Sequence, residues 1–79
     1  MNPRVENVKC KDEKHLIVTF ENGEEKAFDM SPYFIYPVFE PLKDGAFFNK
    51  AHVLHGTVAW NNEIDIDPDT LYLEGKLLN

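Results

Sequence analysis

The run Ile64-Asp65-Ile66-Asp67-Pro68, which follows the single tryptophan at Trp60 and leads into Leu73, constrains the fold more than any other stretch. Isoleucines alternating with carboxylates have a period of two, so Ile64 and Ile66 belong to one face of a strand and Asp65 and Asp67 to the other. Pro68 drives Asp67 out of the α region, into the extended backbone an N-cap needs, while at the first helical position the missing N–H of proline costs nothing. The spacing predicts a strand that runs into a short helix at Pro68. Ile66 and Leu71 stand where a hydrophobic staple closes a helix entrance, and Gly75 is the expected stop. Trp60 is expected to be buried.

A chain of 79 residues is read as a single domain, residues 1–79, and buries only about 60 to 65% of its unfolded surface, so large side chains must form the core. Ten aromatics and a hydrophobic share of 43% are enough for a folded α+β domain. One cysteine, Cys10, makes no internal disulfide, and neither a signal-like apolar run nor a stretch of about 20 apolar residues is present. The expectation is a cytoplasmic protein with no membrane contact. The formal charge is −6, and residues 60–79 carry five acids (Glu63, Asp65, Asp67, Asp69, Glu74) against Lys76. Such a surface disfavours direct nucleic-acid binding, which draws its affinity from Lys and Arg. A basic protein partner fits it better, although solubility alone also accounts for a negative charge.

Along the chain, Val5–Cys10 reads as a weak strand with Val8 and Cys10 on one face, and residues 11–14 as a turn. His15–Phe20 is the clearest strand, and Asn22-Gly23 the strongest hairpin signal. A three-residue Glu21-Asn22-Gly23 loop with Gly23 left-handed sets Phe28 opposite Leu16; a two-residue turn would set Asp29 there and expose Phe28. The first register keeps the apolar groups together, with a return strand over residues 24–30. Ser31-Pro32 reads as a cap and proline opening a short helix that Pro37 ends, and Pro37 and Pro41 are expected to keep the chain around Phe39 extended. Six of the ten aromatics fall between Tyr33 and Phe48, a lid over the sheet. Asp44 can cap a turn carrying Phe47 and Phe48. Residues 51–54 and 57–60 read as two strands joined at His55-Gly56.

The order Leu16-x-Val18-x-Phe20-x-Asn22-Gly23, Phe28-Asp29-Met30-Ser31-Pro32, Phe39-x-Pro41-Leu42, Phe47, then Trp60-x-Asn62-x-x-Asp65-Ile66-x-Pro68-x-Thr70-Leu71-Tyr72 resembles the bacterial "domain of unknown function twenty-four forty-two" family over nearly the whole chain. The resemblance implies a small α+β fold with an antiparallel sheet and short helices; Gly23, Trp60, Asp67, Pro68 and Tyr72 are read as structural. It implies no established catalytic residues. It also implies genes in small paired cassettes, which suggests one member of a toxin-antitoxin-like pair. Two positions depart from the family pattern: Glu63 stands where a glycine commonly follows the Asn, and Gly45 where a proline commonly opens the middle helix.

No residue constellation points to a reaction or a cofactor. Asp65-x-Asp67-x-Asp69 begins like a calcium loop, but Thr70 and Lys76 stand where an EF-hand needs Gly and Glu. Capping by Asp67 and helix-dipole complementarity by Asp69 explain two of the acids. Asp65 is expected to bond a neighbouring loop or the Trp60 indole. His15, His52 and His55 lack partners at zinc-ligand spacing, and Cys10 reads as a structural thiol. Two functional classes remain. The leading one is a non-enzymatic protein–protein interaction module, with Tyr33, Tyr36, Phe39 and Asp65 as candidate contacts; a homo-oligomer is compatible with the same features. The alternative is a small-ligand or metal-binding protein using Asp65 and a nearby histidine.

Overall fold

A computed structural model describes residues 2–79. Among these residues seven strands form two antiparallel sheets: β1 (Val5–Cys10), β2 (His15–Phe20), β3 (Glu25–Asp29) and β7 (Lys76–Leu77) in the order β1-β2-β3-β7, and β4 (His52–Leu54), β5 (Thr57–Ala59) and β6 (Asp65–Ile66) in the order β4-β5-β6. Two 3-10 helices (Ser31–Tyr33 and Pro37–Lys43), α1 (Gly45–Phe48) and α2 (Pro68–Glu74) complete an α+β fold made mostly of strands.

The first hairpin has the register that its apolar pattern requires. Leu16 pairs with Phe28 and His15 with Asp29, the Phe20 N–H donates to Glu24, and Gly23 closes the three-residue loop at φ 88°. Leu16, Val18, Phe20 and Phe28 therefore share the buried face. In β1 an irregularity between Val5 and Asn7 changes the parity of the strand, so Val5 joins Val8 and Cys10 on the inner side. The second hairpin turns at His55 (φ 53°) and Gly56 (φ 77°), the paired left-handed residues of a two-residue loop between Leu54 and Thr57.

Around Pro68 the expected grammar holds. Asp67 accepts from the Asp69 N–H at 3.1 Å, Pro68 opens α2, and Ile64, Ile66 and Leu71 are buried while Asp65 and Asp67 face solvent. Gly75 ends α2 in ordinary extended backbone, at φ −69°; a β-carbon there would lie 2.6 Å from the Leu71 carbonyl oxygen and 3.0 Å from Lys26 Cβ. The glycine is thus a point of close approach between α2 and β3, which lets the chain continue at once into β7.

Two expectations fail in the middle of the chain. Ser31 is not the cap: Met30 occupies that place without a side-chain bond, and Asp29 instead accepts from both the N–H and the hydroxyl of Ser31, at 2.9 and 2.7 Å. Nor is the chain extended around Phe39. Only Tyr36, the residue before Pro37, is extended (ψ 134°); Pro37 then opens a 3-10 helix that carries Phe39 and contains Pro41. A proline fixes a φ that helices share, so it ends one helix and starts the next.

Trp60 is 3% exposed, and its indole N–H donates to the Phe48 carbonyl at 2.9 Å, not to Asp65. The bond goes to a carbonyl at the end of α1 that has no partner within the helix and that also accepts from the Ala51 N–H at 3.2 Å. Asp44 caps α1 through the Ala46 N–H, and the Glu13 carboxylate occupies the space that a side chain at position 45 would need. We expect Asp67→Ala to lower the unfolding free energy by about 1 kcal/mol, the worth of an N-cap, in chemical denaturation. No measurable loss would show that Pro68 alone fixes the helix start.

Candidate functional site

Residues 31–48 form the lid, and its ring contacts decide which side chains remain outside. Tyr33 stacks on Phe28 (ring centroids 5.7 Å), meets Phe39 edge-on at 6.3 Å and Tyr36 at 6.1 Å, and its hydroxyl donates to Glu74 of α2. Phe34 meets Phe48 edge-on at 6.1 Å, and Phe48 in turn packs on Trp60 at 5.9 Å. The lid is therefore fastened by Tyr33 at one side and Phe34 at the other.

Past these fasteners the chain turns outward, and it returns at Phe39, which packs on Tyr33. Ile35 is 78% exposed, Tyr36 50% and Val38 53%, three large apolar side chains within four residues. Tyr33, Phe34, Phe39 and Phe47 are half-buried and Phe48 is fully buried. Of the aromatic candidates, Tyr36 thus lies on the surface against the half-buried Tyr33, on which the half-buried Phe39 packs. Ile35 and Val38 are at least as exposed in proportion but are silent in a reading based on rings. A shallow open groove of about 680 Å³ lies along the second 3-10 helix, lined by Pro37, Glu40, Pro41, Lys43 and Asp44. It contains neither Asp65 nor a histidine.

Asp65 lies on β6, outside the lid, and is exposed. Pairing of His52 with Ala59 and of Ala59 with Asp65 sets His52 on the same outer face, two strands and about 10 Å of backbone away. His52 Nδ1 stands 2.9 Å from the Lys50 carbonyl oxygen. His15 lies between two carboxylates, with Nδ1 3.0 Å from Asp12 and Nε2 3.9 Å from Asp29. Asp12 is held down to about 2, foremost by the Lys14 N–H and then by His15, so it stays ionised as the staple of the turn. Cys10 donates through Sγ to the Phe48 carbonyl at 3.5 Å, and burial pushes its thiol up, away from the thiolate a nucleophile needs. Among the described residues no three His, Cys, Asp or Glu side chains converge as a metal site.

Tyr72 is the counterpart of Tyr33 on α2. Its ring meets Phe20 edge-on at 5.1 Å, its hydroxyl donates to Glu24, and the Lys26 ammonium lies 3.6 Å from the ring centre while donating to the Tyr72 carbonyl. The turn after Trp60 is built by Asn61, whose side-chain oxygen accepts from the N–H groups of Glu63 and Ile64, both at 2.8 Å. This closes the turn without a glycine at position 63.

The family profile for proteins of unknown function DUF2442 matches residues 5–76, from the start of β1 into β7. The chain belongs to the DUF2442 family. No curated protein and no solved structure matches it. In this DUF2442 domain Gly23, Trp60, Asp67, Pro68 and Tyr72 all act in turns, caps or packing, and the exposed lid residues lie between Gly23 and Trp60 in the chain. Among the described residues, no helix is long and apolar enough to cross a membrane.

The hydrogen bond to Glu74 pushes the Tyr33 hydroxyl up to about 12 from its usual value near 10. A folded-state value above the unfolded one means that this bond stabilises the protein fully below pH 10 and is lost as pH rises through about 12. Tyr33→Phe should therefore remove part of the alkaline fall in unfolding free energy between those limits. Equal falls in the two proteins would show that the bond contributes nothing in solution.

Proposed function

We propose that this DUF2442 domain is a non-enzymatic protein–protein interaction module, and that Ile35, Tyr36 and Val38 are its contact surface. The observation that carries the reading is their joint exposure on a segment held at its start by Tyr33 and Phe34 and at its end by Phe39, since a pre-ordered apolar surface loses little conformational freedom on binding. The same segment carries Glu40, and Glu74 lies beside it through Tyr33, so carboxylates flank the apolar residues. A protein with basic residues around an apolar contact is complementary to this surface, and the net charge of −6 would speed its approach. The finer reading is that the partner is the product of the neighbouring gene in a toxin-antitoxin-like cassette, acting in the cytoplasm. The paired cassettes that the family resemblance implies, and a small acidic chain with an exposed apolar surface, support it.

The test is co-expression of the tagged protein with the product of its neighbouring gene. A stoichiometric complex is expected, with association slowed by salt over the range where exposed charges are screened, at a Debye length of about 8 to 10 Å. Ile35→Asp and Tyr36→Ala should raise its dissociation rate by about tenfold or more without changing the melting temperature, as loss of a central apolar contact does. A complex indifferent to both substitutions would move the contact elsewhere, and the absence of any complex would end the reading.

A further inference from the structure

The four-stranded sheet ends at β7, and among the described residues no strand pairs with its outer edge. We propose that a second copy of this chain docks there, β7 against β7 in antiparallel fashion about a twofold axis at Leu77, joining two sheets into one.

The backbone selects the centre of the pairing. Leu78 donates its N–H to the Glu25 carbonyl at 2.8 Å. Backbone direction alternates along an antiparallel ladder, so Leu77, the next residue, turns both its N–H and its C=O to the open edge. One residue with both groups facing outward is self-complementary: two copies of Leu77 placed opposite each other exchange two hydrogen bonds, as an isologous interface requires.

The side chains agree with that register. Lys26 pairs with Leu77 and Ala27 with Lys76, which continues to Glu25 beside Leu78. A twofold axis at Leu77 sets Leu78 against the second copy's Lys76. Each row across the junction then reads Glu25, Leu78, the second copy's Lys76, the second copy's Ala27. Glu25 and the opposing Lys76 stand two strand spacings apart, about 10 Å between backbones, which two long side chains span. The pairing creates this attraction twice. Lysines do not meet, because Lys26, in the Leu77 row, is already held over the Tyr72 ring. Leu77 (53% exposed) and Leu78 would be covered, and uncovered leucines on an open edge strand are a surface that a solitary domain otherwise has to blunt with charge or proline. This junction is separate from the lid and does not depend on its role.

Sedimentation velocity on the whole chain from about 5 to about 500 µM tests the proposal, because a junction this small gives a weak dimer. A concentration-dependent dimer is expected. Leu77→Pro removes an outward N–H without breaking an internal bond and should leave a folded monomer at every concentration. Glu25→Lys and Lys76→Glu should each raise the dissociation constant by about five- to tenfold, and the double swap should bring it back to within about twofold. A wild-type chain that stays monomeric throughout overturns the proposal, as does a dimer that a folded Leu77→Pro retains. If Leu77→Pro fails to fold, the charge swap decides: recovery in the double variant supports the register, and failure to recover overturns it.

Discussion

The bond from the Trp60 indole to the Phe48 carbonyl holds together parts of the chain that sequence order keeps apart. It joins the end of β5 to the end of α1, and the thiol of Cys10 brings β1 to the same carbonyl. A buried indole N–H without a partner would cost about 1 to 3 kcal/mol, whereas the Phe48 carbonyl also accepts from the Ala51 N–H and from Cys10, so the indole is the group that depends on this bond. The aromatic chain Trp60, Phe48, Phe34 then carries this anchorage to the lid. The surface at Ile35, Tyr36 and Val38 is thus set by an interaction made on the far side of the lid's own core residues.

Two tyrosine–carboxylate bonds do the complementary work on α2. Tyr72 fixes the helix to the first hairpin through Phe20, Glu24 and Lys26, and Glu74 fixes the lid to the helix through Tyr33. Glu74 lies at the C-terminal end of α2, where the helix dipole disfavours a negative charge. Its place is explained by Tyr33, which donates to it. In a chain of 79 residues, where burial alone leaves little margin, such side-chain bonds between elements matter more than in a larger domain.

Where a period of two or the Asp67-Pro68 pair governs the backbone, the sequence was enough to find the structure; at Ser31-Pro32 the same pattern misplaced the cap, because Ser31 bonds back to Asp29. Leu16, Val18, Phe20 and Phe28 could share a face in only one hairpin register, and Asp67-Pro68 set the start of α2. Local patterns fail where the deciding partner is remote or is backbone. Nothing in the spacing reveals that Trp60 bonds a main-chain carbonyl twelve residues earlier, and side-chain complementarity pointed instead to Asp65. Pro37 carries two meanings, helix end and helix start, and only the packing of Phe39 against Tyr33 selects the second. β7 is two residues long, too short for any periodicity, and exists because Gly75 lets the chain pass close to Lys26. The candidate site was half legible for the same reason: the aromatic cluster was visible, but which members face outward depends on Phe28 and Phe48 beneath them.

The central claim is that the Trp60–Phe48 bond orders the lid. Native-state hydrogen exchange on Trp60→Phe, which keeps a ring in the core and removes the donor, tests it most directly. The amides of Phe34, Phe39 and Phe48 are bonded within the lid to Ser31, Tyr36 and Asp44. Their protection should fall by about tenfold or more, the equivalent of a lost buried hydrogen bond, while that of β2 and β3 falls less. Unchanged protection of the three lid amides, or a loss confined to β2 and β3, would contradict the account.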